Sequence, residues 1–211
     1  MLPKTVYFVP PMPPLLPDSI LTLRQQIERF GAIPEADWAL LEPHLILKKL
    51  KKHELFAQEG RASADVALVL EGMLRQYYLK DGEEKTTYFY FENHLMSDYF
   101  SCIHRAPSKL NIEALSEVHM IVFPYSAMEA LFEQSMAWQK FGRKVAEYLA
   151  NGLEDRMVSL LTLSPEDRYR ELISGNKTKI LERIPQHYVA NYLGITAVSL
   201  SRIRNRVLNR K

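Results

Sequence analysis

Residues 183–211 contain the pattern that most restricts what this chain can fold into. Two short apolar stripes of helical period lie on either side of Gly194, a residue that suits the positive φ found after a helix end. Thr196 stands where the second helix needs an N-cap. The apolar positions are Val189, Ala190 and Leu193 in the first helix and Leu200, Ile203 and Val207 in the second. Two short helices joined by a tight glycine turn predict a helix-turn-helix.

The same segment is strongly basic. It has six Lys or Arg and no Asp or Glu, whereas the whole chain has 27 basic and 25 acidic residues and a net charge of +2. The preceding 182 residues therefore have 21 basic and 25 acidic residues, a charge of −4. A cationic patch confined to one end favours an anionic partner such as nucleic acid. The alternative is an ordinary helical pair with a solvated basic face.

The passage IPQHYVANYLGITAVSLSRIRNR resembles the helix-turn-helix of the Crp/Fnr superfamily, the catabolite activator protein-like transcription regulators. The likeness continues upstream through LTLSPEDRYRELI and, more loosely, to about residue 20. It implies a homodimer that binds double-stranded DNA at a pseudo-palindromic operator. A cytoplasmic location is expected separately, from the single cysteine and the lack of an apolar leader. It also implies contact with RNA polymerase if the protein is an activator, and an unknown small-molecule effector as a further partner.

The outer face of the second helix is small at its start and basic further along. By resemblance this helix enters the major groove, where Arg202 would reach guanine or phosphate and the later arginines would contact the DNA backbone. Some relatives have an Arg-Glu pair where this chain has Ala197 and Val198, so its preferred DNA sequence should differ. The expected DNA contacts are Thr196, Ala197, Val198, Ser201 and Arg202, followed by Arg204, Asn205, Arg206 and Arg210.

Upstream, the hydrophobic period changes to two from residue 50 onward, and turn glycines such as Gly60 and Gly72 punctuate it. Short strands are expected at 53–58, 65–71, 73–79, 85–91, 111–115 and 119–123. Regular short strands of this kind predict a β-roll, and their motifs resemble the cyclic-nucleotide-binding-type roll of the same superfamily. Before the roll, helical spacing predicts small helices at 20–30 and 35–47.

Residues 135–163 have no proline and one interior glycine, which predicts a helix of roughly 43 Å at 1.5 Å per residue. Its apolar stripe is too long for a small β-roll to cover, so we expect a second copy of the helix to cover it. By resemblance this is a dimerisation helix. Packing against the chain's own core is the alternative. The expected dimer-interface residues are Trp138, Phe141, Val145, Leu149, Leu153 and Met157.

Ser164 and Pro165 fit the N-cap and the first position of a further helix, and they indicate a hinge between domains. The sequence therefore predicts an α+β chain. Its parts are an N-terminal segment and β-roll sensor domain at 1–134, a dimerisation helix at 135–163, and a helix-turn-helix DNA-binding domain at 164–211. The C-terminal wing of many relatives is expected to be reduced or absent.

Several function classes are disfavoured. Six prolines within the first 17 residues interrupt any apolar leader, so neither a signal peptide nor a membrane span is expected. Cys102, the single cysteine, rules out an internal disulfide and a four-cysteine iron–sulfur cluster. The sequence contains no nucleophile elbow, phosphate loop or zinc signature, so we expect neither an enzyme nor a cofactor.

The family's cyclic-AMP binders use a Gly-Glu pair followed by an Arg-Ser pair. Here Ser97-Asp98 and Pro107-Ser108 take those positions, so the charged partner of the cyclic phosphate is missing. The sequence therefore predicts a sensor that does not respond to cyclic AMP. The effector-pocket candidates are Ser97, Asp98 and Ser108, with Arg105 and Lys109 as cations that could substitute from other positions.

Two other classes of function remain open. A β-roll small-molecule-binding or adaptor protein that has lost DNA recognition would have the same fold. A cupin-like metalloenzyme would use His94, Asp98 and His104 as metal ligands. Cys102 would be a redox-sensing thiol only if basic neighbours lowered its pKa, and an inert, half-buried thiol is the expectation. The acid-free basic terminus favours the transcription regulator.

Overall fold

The structure of the protein, a computed structural model, describes residues 17–175 and 177–208. The helices are α1 (Pro17–Glu28), α2 (Glu35–Trp38), α3 (Tyr99–His104), α4 (Tyr125–Gln134), α5 (Met136–Thr162), α6 (Pro165–Ser174), α7 (Thr178–Arg183), α8 (Gln186–Tyr192) and α9 (Ala197–Leu208). The strands are β1 (Ile46–Leu50), β2 (Leu55–Ala57), β3 (Asp65–Glu71), β4 (Leu74–Lys80), β5 (Glu83–Tyr90), β6 (Leu95–Ser97), β7 (Asn111–Ala114) and β8 (Val118–Pro124). The predictions made for residues 1–16, Arg210 and the wing after α9 lie outside the described residues.

The strands form two four-stranded antiparallel sheets, in the orders β1-β8-β3-β6 and β2-β7-β4-β5. One apolar cluster joins them: Ala67 and Val69 of the first sheet pack with Leu74 and Ile112 of the second, and all four side chains are fully buried. Alternation of inward apolar residues along each strand produces this core. The predicted β-roll and the α+β fold class are confirmed.

The tight turn between β3 and β4 requires glycine. Gly72 has a φ of 97°, and a Cβ atom there would lie 2.3 Å from the carbonyl oxygen of Glu117. A larger residue would therefore clash with the backbone between β7 and β8. The next residue, Met73, donates its N–H to the hydroxyl of Ser116 at 3.1 Å, so the two turns support each other.

Helices α1 and α2 and the first turns of α5 cover the outer face of the first sheet. Trp38 stacks on Trp138 with ring centroids 6.3 Å apart, and Phe141 meets Trp138 edge-on at 5.5 Å. These rings share a buried cluster with Leu68 and Ile121 of the sheet. The start of α5 is therefore part of the chain's own core.

The helix predicted at 35–47 is wrong in its second half. Helix α2 ends at Trp38, and Ile46–Leu50 is strand β1, which pairs with β8. The sequence ILKKL fits either period because its apolar residues flank two lysines. The helix predicted at 135–163 is confirmed as α5. No described helix is both long and apolar enough to cross a membrane.

Candidate nucleic-acid interface

Helices α8 and α9 form the helix-turn-helix. Gly194 takes a φ of 71° in the turn, and the N–H of Ile195 donates to the carbonyl of Ala190 at 3.0 Å. The hydroxyl oxygen of Thr196 accepts from the N–H of Ser199 at 3.1 Å and so caps α9. The turn glycine and the cap have the roles that the sequence pattern predicts.

The two sides of α9 differ in burial. Leu200 and Ile203 are buried in a cluster with α6 and α8, whereas Val198 is 62% exposed. The predicted DNA contacts that are exposed are Thr196, Ala197, Val198, Arg202, Asn205 and Arg206, and those that are half-buried are Ser201 and Arg204. The small and basic side chains of α9 are thus accessible, while its apolar stripe is covered.

Two neighbouring arginines on α9 have different surroundings. Arg206 forms an ion pair with Glu166 of α6, with an Nη1–Oε2 distance of 2.7 Å. Among the described residues, no carboxylate forms an ion pair with Arg202, one turn earlier. The guanidinium of Arg202 is therefore available to an external anion without first leaving an internal partner.

A buried arginine that the sequence analysis missed fixes the helix-turn-helix to the end of α5. Arg168 of α6 is 9% exposed, and its guanidinium donates to the carbonyls of Leu163 at 2.6 Å and Leu193 at 2.9 Å. Carbonyls at helix ends lack partners within the helix, so a buried cation suits them. The sequence gives no sign of this role, and only the structure shows that Arg168 lies with Tyr169 and Leu172 on the buried side of α6.

Helix α8 packs on the free edge of the second sheet. The side chain of Asn191 donates to the carbonyl of Glu84 at 2.7 Å and accepts from the N–H of Thr86 at 2.6 Å. Because β5 is an outer strand, this amide satisfies edge groups that have no strand beside them. The rings of Phe89 and Tyr192 add an apolar contact, with centroids 5.5 Å apart.

Charged side chains strengthen the same contact. Arg183 of α7 donates two hydrogen bonds to Glu92, at 2.6 Å and 2.8 Å, and these lower the pKa of Glu92 to about 2. The guanidinium of Arg75, which is 1% exposed, lies 4.1 Å from the ring of Tyr77 and 3.9 Å from that of Tyr188. The helix-turn-helix and the second sheet are therefore held together by polar and stacking contacts as well as by apolar ones.

Asp98 and Ser108, two of the pocket candidates, form hydrogen bonds with nearby backbone groups. Asp98 is 1% exposed and caps α3 by accepting from the N–H of Ser101 at 3.1 Å. Ser108 is 3% exposed and its hydroxyl donates to the carbonyl of Leu110 at 2.7 Å. Ser97 is half-buried at the end of β6. The side chains of Asp98 and Ser108 therefore already make folding contacts, although Asp98 Oδ2 has no hydrogen-bond partner among the described residues.

The two cations proposed to replace the missing phosphate partner, Arg105 and Lys109, contact other residues. Arg105 is exposed, has a φ of 49°, and pairs with Glu129 at 3.2 Å. The ammonium of Lys109 lies 4.1 Å from the centroid of the Phe100 ring. Within the described ranges, no hydrogen bond or ion pair links either cation to the buried pocket candidates. Neither of these two cations is therefore paired with a buried pocket candidate in the described part of the chain.

The residues proposed for a metal site and for a redox-sensing thiol do not have, among the described residues, the neighbours that those functions require. In the part of the chain that the structure describes, no three potential ligands lie together, so His94, Asp98 and His104 do not form a metal site. The ring of His104 packs on Phe100, with centroids 4.6 Å apart. Burial, and then the charge of Asp98, raises the pKa of the Cys102 thiol to about 12, so this thiol is protonated at neutral pH.

The apolar residues of α5 are buried at its start and exposed further along. The predicted dimer interface is therefore wrong for its first residues, which belong to the chain's own core. Trp138 is 0% exposed and Phe141 is 7% exposed in the chain's own core, and Val145 packs against that core. The later apolar residues remain open. They are Leu149 at 38%, Leu153 at 72%, Met157 at 56%, Leu160 at 45% and Leu161 at 78% exposure. We call this group the exposed α5 stripe.

Comparisons with known proteins agree with this architecture. A family model of the cyclic nucleotide-binding domain matches residues 47–135. A search of curated proteins found no match. Solved structures do match. One, described as a transcriptional regulator of the crp/fnr family from Eubacterium rectale, has 20% identity and a TM-score of 0.66, with 84% of this chain and 85% of that chain covered.

Two further structures have the same arrangement. FixK2 from Bradyrhizobium japonicum has 19% identity and a TM-score of 0.65, covering 79% of this chain and 85% of its own. The catabolite activator protein from Thermus thermophilus has 16% identity and a TM-score of 0.54, covering 88% and 87%. Residues 47–135 therefore match the cyclic nucleotide-binding domain family, and the chain has the fold of the Crp/Fnr transcriptional regulators.

Proposed function

We propose that the protein is a homodimeric, sequence-specific DNA-binding transcription regulator of the cytoplasm, and that its β-roll does not respond to cyclic AMP. The observation that carries the proposal is α9, which is capped, buried on its apolar side and open on a side of small and basic residues. Such a helix fits the major groove, where short side chains allow close approach and arginines pair with guanine or phosphate.

We assign three tasks along the chain. Residues 1–134 form the sensor, 135–163 the dimerisation helix and 164–211 the DNA-binding part. The exposed α5 stripe would be covered by the same stripe of a second copy, because open apolar surface of this extent marks an interaction site. The two-fold symmetry of such a dimer leads to half-sites about 34 Å apart on the DNA.

The accessible side of α9 suggests how bases would be distinguished. Ala197 and Val198 are exposed and apolar, which suits contact with thymine methyl groups. Arg202 is exposed and suits the two acceptors of guanine. Arg204 and Arg206, further along the helix, suit the phosphate backbone, which positions the protein without reading sequence.

The pocket geometry supports the second half of the proposal. A cyclic phosphate carries a full negative charge, and burying it without a paired cation costs several kcal/mol. Arg105 and Lys109 are both directed elsewhere. If the β-roll has an effector, that effector is of another chemical class.

Selection of bound sequences from a random pool of DNA duplexes tests the proposal. We expect one enriched motif with two-fold symmetry. A pool with no enriched motif would overturn the proposal and favour a β-roll adaptor that has lost DNA recognition. An enriched motif without two-fold symmetry would support DNA binding but contradict the proposal that the protein binds as a homodimer.

A further inference from the structure

A groove runs between the start of α6 and the middle of α9. We call it the α6–α9 groove. It is lined by Ser164, Pro165, Glu166, Ser199, Arg202, Ile203 and Arg206. The guanidinium groups of Arg202 and Arg206 make this groove a suitable environment for an oxyanion such as a phosphodiester, whereas the Ser164 hydroxyl already donates to Asp167 at 2.6 Å.

An internal anion already occupies the basic wall of this groove. Glu166 Oε2 lies 2.7 Å from Arg206 Nη1, and Glu166 Oε1 lies 2.8 Å from Arg170 Nη2. The side chain of Glu166 is 19% exposed, whereas those of Arg206 and Arg170 are 54% and 44% exposed. The hydrogen bond from Arg170, and then the charge of Arg206, lowers the pKa of this carboxyl. Glu166 therefore stays ionised at neutral pH and holds both guanidinium groups.

A carboxylate and a phosphodiester present similar pairs of oxygens to a guanidinium group. They therefore compete for Arg206, because a guanidinium that donates to Glu166 has fewer N–H groups free for DNA. Arg202 faces no such competitor among the described residues, so the two arginines should contribute differently to DNA affinity.

We propose that Glu166 is a built-in competitor of the DNA backbone phosphate at Arg206. This inference rests on the proposed function and adds to it a determinant of affinity. DNA binding exchanges the Glu166–Arg206 pair for an Arg206–phosphate pair, so the loss of the internal ion pair subtracts from the affinity for DNA. The cost is independent of base sequence, since the contact is to the backbone. Glu166 thus weakens binding to all DNA and limits retention on non-specific sites.

The test measures the affinity of the full chain for a labelled duplex of random sequence by fluorescence anisotropy, at several salt concentrations. The proteins compared are the unaltered chain, Glu166→Gln, Arg206→Ala, the double variant, and Glu182→Gln. Glu182 is exposed on α7, and the structure shows no hydrogen bond or ion pair for it among the described residues, so its substitution changes net charge by the same amount.

We expect Glu166→Gln to lower the Kd for random DNA by about three- to tenfold at low salt. The slope of log Kd against log salt concentration should increase by about one, because one more phosphate is neutralised. In the Arg206→Ala background the same substitution should change the Kd by less than about twofold, because the competition is then absent. Glu182→Gln should also change it by less than about twofold.

Three outcomes would overturn the inference. One is equal tightening by Glu166→Gln with and without Arg206, which would indicate general charge repulsion. Another is no tightening at all with folding intact by circular dichroism. The third is equal tightening by Glu182→Gln. Failure of the proposed function gives a different result, since the unaltered chain would then show no measurable affinity for any duplex at low salt.

Discussion

Arg183 and Glu92 form a two-point ion pair, with Nη1–Oε2 and Nη2–Oε1 distances of 2.6 Å and 2.8 Å. Arg183 ends α7, the helix directly before the helix-turn-helix, whereas Glu92 follows β5, so the pair joins the chain leading into the helix-turn-helix to the second sheet. Two parallel charge-assisted hydrogen bonds fix direction as well as distance. The orientation of the helix-turn-helix on the β-roll therefore depends partly on this pair.

The first prediction concerns acid stability. On folding, the pKa of Glu92 falls from 4.5 to about 2, so the pair stabilises the fold fully above pH 4.5 and progressively less as the pH falls toward 2. We expect Glu92→Gln to lower the free energy of unfolding by about 1 kcal/mol at neutral pH and to lose this difference in acid. Urea unfolding over this pH range measures both.

The matched control is Glu133→Gln, since Glu133 is exposed on α4 and the structure shows no ion pair for it among the described residues. Its stability difference from the unaltered chain should be small at every pH. A Glu92→Gln variant with the same acid dependence as the unaltered chain would contradict the prediction.

The second prediction concerns assembly. Replacing Leu153 and Met157 by Glu should yield monomers in sedimentation velocity, because a two-fold interface would bury like charges against each other. Asn151→Glu is the control at an exposed position of the same helix and should remain dimeric. Val145→Glu should lower the free energy of unfolding, since Val145 packs on the chain's own core. A dimeric double variant would exclude the exposed α5 stripe as the interface.

The third prediction concerns DNA recognition. Arg202 is exposed and has no internal ion pair among the described residues, so its guanidinium should contribute fully to binding. We expect Arg202→Ala to weaken binding to the best selected site by about 1–3 kcal/mol in a mobility-shift titration. Lys52→Ala, between β1 and β2, removes one charge from the roll and should have little effect. A loss under about 0.5 kcal/mol for Arg202→Ala would exclude it from base recognition.

The fourth prediction concerns cyclic nucleotides. Because Arg105 pairs with Glu129 and Lys109 lies over Phe100, a cyclic phosphate in the roll would lack a cation. We expect no saturable heat on titration with cyclic AMP or cyclic GMP at millimolar concentration. Saturable binding with a Kd below about 50 μM, roughly −6 kcal/mol, would show that the pocket is competent. Loss of that binding in Arg105→Ala or Lys109→Ala would then identify the cation.

The fifth prediction concerns the single thiol. Burial raises the pKa of Cys102 from 9.0 to about 12, which reduces the thiolate fraction roughly a thousandfold at pH 8. We expect an aromatic disulfide reagent to label native protein far more slowly than protein unfolded in urea, as followed by absorbance. Labelling at equal rates would show an accessible, reactive thiol and favour the redox-sensing alternative.

The parts of the fold that are local in sequence could be predicted. Gly194, Thr196 and the apolar residues of α8 and α9 lie within about 20 positions of one another, and each acts on its nearest turn of helix. That Pro107 stands in place of a cyclic-AMP-site arginine remains a prediction from the resemblance, which the titration with cyclic nucleotides tests.

Contacts between distant parts of the chain could not be predicted. Asn191 and Thr86 are 105 positions apart, and an amide on a short helix gives no sign that it will pair with a strand edge. Trp138 and Phe141 have the spacing of a dimer interface, yet a helical stripe looks the same whether the chain's own sheet or a second copy covers it. Periodicity shows that a side is buried and does not show what buries it.

Asn191, which covers the edge of β5, is synthesised long after that strand. The β-roll is complete only when β8 ends at Pro124, and about 67 further residues must then be translated before this amide exists. At 5–20 residues per second, the interval lasts on the order of 3–13 s. During it, the nascent β-roll presents an open strand edge beside Phe89, and such an edge can pair with a neighbouring chain on the same polysome. The demand for chaperones should therefore be greatest while the last helices are still being translated.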